Sequence, residues 1–221
     1  MTAAKTERWL PLTGVFAGLL LLVAILSGDQ SPDTSASAAK VAAYYATHEG
    51  DTTSATILFA VSGLLILLFA AALRSALTRG ERAPAMWSDV AFGGLVVYGA
   101  GLFVIASICL SLSELPDHVQ PAVVQAVHIV SGGSFVVLAG GSVAAMAGAA
   151  GAILRGSDLP RWLGWIALVL AVAGVTPASF FSVVGGLAWI IVASIVIARR
   201  ARHPAGARNT VERAQEPAPA V

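Results

Sequence analysis

The chain has 221 residues, of which 57% are hydrophobic and only 11% charged, and its formal net charge is +1. A soluble domain carries roughly 25% charged residues, so this chain has too little charge to wet a globule of its size and too much apolar content to be disordered away from its ends. The balanced charge excludes a general pull toward nucleic acid, and the single cysteine, Cys109, excludes an intramolecular disulfide, a CxxC redox pair and a cysteine metal cage.

A helix that crosses lipid needs about 20 mostly apolar residues. The first such run, about 11–27, opens at Pro11 and closes at Ser27-Gly28-Asp29. Lys5 and Arg8 before it resemble the start of a signal peptide, and Ala36-Ser37-Ala38 resembles a cleavage site. That site lies about ten residues beyond the run, too far for normal cleavage, so the run reads as an uncleaved anchor. A short helix is expected over Ser35–Glu49, with Ser35 as N-cap, Gly50 as the stop, and Ala38, Val41, Ala42 and Tyr45 as its apolar stripe. The second span is expected at about 55–74, the third at about 89–112 and the fourth at about 122–154. The last apolar stretch is too long for one crossing and is interrupted by Thr176-Pro177-Ala178-Ser179, so it reads as two spans, about 162–176 and 179–198. The proline-containing tail 203–221 has nothing to bury and is expected to be a disordered cytoplasmic extension.

Charges test that count. Lys5, Arg8, Arg74, Arg79, Arg82, Arg155, Arg161, Arg199, Arg200 and Arg202 all fall on one side of a six-span chain, and the opposite loops hold only Lys40. The excess of basic residues in cytoplasmic loops then puts both termini in the cytoplasm. Trp9, Trp87, Trp162 and Trp165 sit at the same ends as interfacial anchors, while Trp189 falls mid-span as a packing residue. The fold class expected is therefore all-α: a polytopic bundle of six transmembrane helices with one short outer amphipathic helix.

Small residues recur at helical spacing, which lets helix backbones approach where lipid removes the hydrophobic drive. Gly133, Gly141, Ala145 and Ala149, with Gly140, Ala144, Gly148 and Ala152, make the fourth span the expected centre of the bundle, and Gly93 and Gly101 mark the third.

Chemistry is sparse. The bodies of the spans carry no Asp, Glu, Lys or Arg, which argues against a pump or ion-coupled transporter. Gln125, His128 and Ser131 share one face at i, i+3, i+6 and form the candidate ligand-binding set. Haem would need two intramembrane histidines, and only His128 could lie in a span. His128 stands about 39 Å from Leu154 along a straight helix, at the level of the outer headgroups, where a polar, water-accessible histidine is expected. His48 and His118 are weak metal candidates at outer helix ends, because no compact ligand spacing links them to Glu49, Asp51, Glu114 or Asp117. Arg199-Arg200-Ala201-Arg202 is first a topology signal and could also attract anionic lipid. No nucleophile elbow, P-loop, dinucleotide fingerprint or HExxH occurs, and no cofactor is expected.

Asp158-Leu159-Pro160-Arg161-Trp162-Leu163-Gly164-Trp165, together with Tyr44-Tyr45-Ala46-Thr47-His48, resembles small six-span membrane proteins of actinobacteria that carry a domain of unknown function. In that family the Leu-Pro-Arg-Trp-Leu-Gly-Trp segment opens the fifth span. The resemblance implies a multi-pass protein of a bacterial plasma membrane and supplies no reaction. The expected function is a non-enzymatic accessory or interaction subunit whose partners are the lipid bilayer and a membrane protein or second copy, not nucleic acid. The alternatives are binding or transport of a small neutral or lipidic ligand, and a haem or metal redox protein using His128 and the outer-side histidines His48 and His118.

Overall fold

Apolar backbone can hide its amides from lipid only by closing them into helices or barrels, and every long apolar run in this chain is a helix. The computed structural model describes residues 9–27, 31–79, 85–176 and 179–202. Lys5, Arg8, Arg82, the Pro177 turn and the 203–221 tail lie outside the described residues. The helices are α1 (Thr13–Ser27, entered through a 3-10 turn at Leu10–Leu12), α2 (Ala38–Thr47), α3 (Glu49–Leu77) and α4 (Ala85–Glu114). A 3-10 turn at Leu115–Asp117 leads to α5 (Pro121–Gly133), followed by α6 (Phe135–Arg155), α7 (Arg161–Gly174) and α8 (Ser179–Arg202). Four rods are long and apolar enough to cross a membrane, namely α3, α4, α5 continued by α6, and α8. The chain is a multi-pass membrane protein by that measure. With 15 and 14 residues, α1 and α7 are apolar but shorter.

Neighbouring rods alternate in direction. Gly94 faces Ala145, Tyr98 faces Gly141 and Ala91 faces Gly148, so α4 and α6 are antiparallel. Gly63 against Gly99 and the Arg74–Asp89 pair do the same for α3 and α4. Gly164 on Ile153 and Gly174 on Val143 set α7 against α6, and Gly14 beside Ser194 with Gly18 beside Ile191 set α1 against α8. The α7–α8 hairpin is tied by Trp189 Nε1–H to the Leu163 carbonyl (3.0 Å) and by the Ser182 hydroxyl to the Leu170 carbonyl (2.7 Å). As a result Arg74, Arg79, Arg155, Arg161, Arg199 and Arg200 gather at one end of the bundle, with Trp9, Trp87, Trp162 and Trp165. Lys40 is the only lysine or arginine among the described residues at the other end.

The arginine end is stitched together by the segment between α6 and α7. Gly156 has φ 134°, a value only glycine adopts without strain. The turn it makes lets the Asp158 N–H donate to the Arg79 carbonyl (3.0 Å), while Arg200 donates to the Asp158 carbonyl. Arg155 lies over the Trp87 ring at 4.6 Å. Within the Leu-Pro-Arg-Trp-Leu-Gly-Trp segment, Leu159 and Leu163 are buried, Gly164 meets Ile153, and Trp162 and Trp165 stay exposed.

The boundaries of the short helix differ from the sequence expectation, whereas those of the fourth span agree with it. The fourth span is one rod over Pro121–Arg155, matching the expected 122–154, with a local tightening of its turn at Ser134 after Gly132-Gly133. There the Ser134 N–H is shared between the Val130 and Ser131 carbonyls at 3.2 Å each. The short helix runs over Ala38–Thr47, not Ser35–Glu49. The Asp33 carboxylate takes the Ser35 N–H in a turn (3.3 Å), which delays the helix to Ala38. Gly50 does not stop it: His48 alone is non-helical, and Glu49, Gly50 and Asp51 form the first turn of α3, where acidic side chains suit the helix dipole.

The seam between α4 and α6 is the tightest in the bundle. A Cβ on Gly94 or Gly148 would collide with the opposing backbone at Ala145 or Ala91. One on Gly141 would lie 2.6 Å from the Tyr98 nitrogen, and one on Gly101 would lie 3.0 Å from Leu138 Cδ2. Of the expected packing glycines, Gly101, Gly141 and Gly148 are in this seam. Gly93, Gly133 and Gly140 are not: nothing lies within 4 Å of their Cβ positions. Gly94 takes the place expected of Gly93, since adjacent helical residues point about 100° apart.

Gly148→Ala and Gly94→Ala should therefore each destabilise the bundle by about 1–3 kcal/mol through overpacking. Gly140→Ala should be neutral or slightly stabilising. Thermal unfolding in detergent, followed by circular dichroism, separates the two classes.

Candidate functional site at the cap

The end opposite the arginines is closed by α2 lying across the ends of α4 and α5. The stripe read from the sequence explains why: Val41 and Tyr45 are buried against Leu112 and Val124, with Ala42, Ile108, Leu115, Val119 and Val127 around them. This small core is distinct from the larger one inside the bundle.

Gln125 and His128 hold this cap in place. His128 is 6% exposed. Its Nε2 lies 3.0 Å from the Pro32 carbonyl and its Nδ1 lies 2.9 Å from the Tyr45 hydroxyl. A carbonyl only accepts, so in the neutral ring Nε2 carries the proton and Nδ1 receives the Tyr45 O–H. Gln125 Nε2 donates to the Ala36 carbonyl (2.7 Å). Two residues of α5 thus grip the segment leading into α2. Ser131 does not join them; its hydroxyl turns back onto the His128 carbonyl of its own helix (2.6 Å). Where the sequence predicts a water-accessible histidine, His128 is buried, because Tyr45 and Pro32 cover it.

The weak metal candidates are held apart. His48 Nδ1 donates to the Tyr44 carbonyl (2.9 Å) and its ring stacks on Tyr44 (4.3 Å, 16°). His118 ends the turn at Leu115–Asp117. No group of three His, Cys, Asp or Glu converges among the described residues.

A cleft lies on the second face of α2. Lys40, Ala43, Tyr44 and Thr47 follow i, i+3, i+4, i+7 along the helix and, with Ser31, Pro32 and Asp33, line an open surface cleft of about 520 Å³. The Ser35 backbone N–H and the Thr34 hydroxyl both donate to Asp33, holding its carboxyl below the usual carboxylate range. The Tyr44 ring is fixed between His48 and the edge of Tyr45 (5.2 Å, 85°). Sequence reasoning missed these walls. The one available signal was that the sole cation of the outer loops recurs with Ala43, Tyr44 and Thr47 on a second helical stripe. No family model, curated protein or solved structure matches the chain.

Burial, reinforced by Cys109 and Tyr44, pushes the Tyr45 hydroxyl from 10.0 up to about 12. The folded value lies above the unfolded one, so the contribution of Tyr45 is complete below the unfolded value and is lost as pH climbs toward the folded value. Protection of the α2 amides, corrected for their base-catalysed intrinsic exchange rate, should accordingly be flat below that window and fall within it, and Tyr45→Phe should abolish the fall. The same substitution leaves a buried ring nitrogen without a donor and should cost about 1–3 kcal/mol of cap stability at neutral pH.

Proposed function

We propose that the chain is a six-span protein of a bacterial plasma membrane, with both termini in the cytoplasm, that works as a non-enzymatic accessory or interaction subunit through its outer cap. The observation that carries this reading is the polarity of the bundle: among the described residues, the arginines and four tryptophans gather at one end, and Lys40 is the only lysine or arginine at the other. Basic residues are retained on the cytoplasmic side, which supports an outward-facing cap. Six crossings count α1 and α7 as spans; a rod shorter than the hydrocarbon is accommodated by local thinning at modest cost. The buried polar groups described within the bundle are serine hydroxyls, the Tyr98 hydroxyl and the Trp189 indole N–H, with no carboxylate, lysine or arginine among them, which suits packing better than ion transfer. That leaves the cap as the surface with varied chemistry. The partners on this reading are the bilayer and a second membrane protein or second copy, and the resemblance to actinobacterial six-span proteins accords with the layout.

Orientation is tested in a Cys109→Ser background. Lys40→Cys should react with a membrane-impermeant maleimide in intact cells, and Arg200→Cys only after permeabilisation; the reverse pattern overturns the topology. Native mass spectrometry from membranes should show a stoichiometric protein partner or a dimer. A clean monomer that turns over a lipid or redox substrate removes the accessory role.

A further inference from the structure

The cleft beside α2 combines two opposite charges that do not neutralise each other. Lys40 forms no ion pair among the described residues, and the one side-chain salt bridge described, Arg74–Asp89, lies at the far end of the bundle. Asp33 is held as an acceptor by the turn beneath it. An ion of a single sign entering this space would meet one attractive and one repulsive group. A molecule carrying both charges meets two attractive ones.

Two of the walls, Pro32 and Tyr44, are also held before any ligand arrives. Pro32 is held through its carbonyl by His128, and Tyr44 by its contacts with His48 and Tyr45. A cleft whose walls are already ordered spares the ligand the entropy of arranging them. Its volume, about 520 Å³, lies within the range of small-molecule sites.

We propose that this cleft binds a small zwitterion, its ammonium toward Asp33, its carboxylate or phosphate toward Lys40, and its body against the Tyr44 ring. Two sources share that chemistry: a free amino acid, and the phosphoethanolamine headgroup of a lipid in the facing leaflet. The assignment deepens the view of the cap as the working surface, but its test uses purified protein and is independent of membrane orientation.

The full-length protein in detergent is titrated by calorimetry with L-phenylalanine and with glycerophosphoethanolamine, using phenethylamine and glycerophosphate as singly charged controls. At least one zwitterion should bind saturably in the millimolar range or tighter, and about tenfold better than its control. Lys40→Ala and Asp33→Asn should each weaken that binding by about tenfold. Both side chains are exposed, so thermal unfolding of these variants should match the parent. Preference for glycerophosphoethanolamine identifies the lipid source, and preference for phenylalanine the free solute. Absence of saturable binding by both, equal binding of the controls, or indifference to both substitutions overturns the proposal, and none of these results disturbs the maleimide pattern.

Discussion

Backbone-to-backbone contact between α4 and α6 sets the geometry on which the rest of the molecule depends. Pressing two apolar helices together in lipid gains little from the hydrophobic effect, because the tails are as apolar as the side chains. What remains is dispersion, which falls away within an ångström of extra separation. Gly94 against Ala145, Gly141 against Tyr98 and Gly148 against Ala91 bring the two helices to the closest approach their backbones permit. The same approach carries the Trp87 ring onto Gly151, where Arg155 covers it. The remaining rods pack outward from this pair, α3 on α4 and the α7–α8 hairpin on α6.

The cap is held by a different balance of forces. Its core of Val41, Tyr45, Leu112 and Val124 is too small to order the Pro32–Ala36 segment by burial alone. Hydrogen bonds from α5 supply the rest, and they must satisfy backbone carbonyls at positions largely removed from water. A neutral imidazole suits this because it offers one donor and one acceptor on separate sides of the ring. His128 spends the donor on Pro32 and the acceptor on Tyr45, joining loop, α2 and α5 through one side chain. A histidine so engaged is a fastener, and metal ligation through it would require giving up one of these bonds.

These two devices were unequally legible in the sequence. Apolar runs, arginine ends and interfacial tryptophans depend only on the bilayer as solvent, so the rods and the placement of their polar ends could be read directly. The buried stripe of Val41 and Tyr45 was legible for the same periodic reason. Choosing between Gly93 and Gly94 was not, because spacing to Gly101 is compatible with a helical face for either, and only the rotation of α4 against α6 decides. The tightened turn at Ser134 had a local signal in Ser131-Gly132-Gly133-Ser134, but small residues at helical spacing also suit uninterrupted packing, so composition alone did not mark it. Gln125 and His128 were correctly placed on one face, but their partners at Pro32 and Ala36 lie about ninety residues away. No local pattern could have shown that their hydrogen bonds are spent on backbone.

The seam and the cap are mechanically one object. The 30-residue α4 forms the seam along its length and delivers Leu112 into the cap core at its far end, while the 14-residue α7 ends well short of that level. At 1.5 Å per residue the difference is about 24 Å, so the cap is mounted on the tall half of the bundle. A contact with no side chains between the backbones, as at Gly94, Gly141 and Gly148, leaves α4 and α6 little slack to move against each other. The walls of the Lys40 cleft, by contrast, are tied through Tyr45 and His128 to α5, and the cap core beneath them rests on Leu112 of α4. That asymmetry is the physical reason for assigning the working surface to the cap and the role of scaffold to the spans.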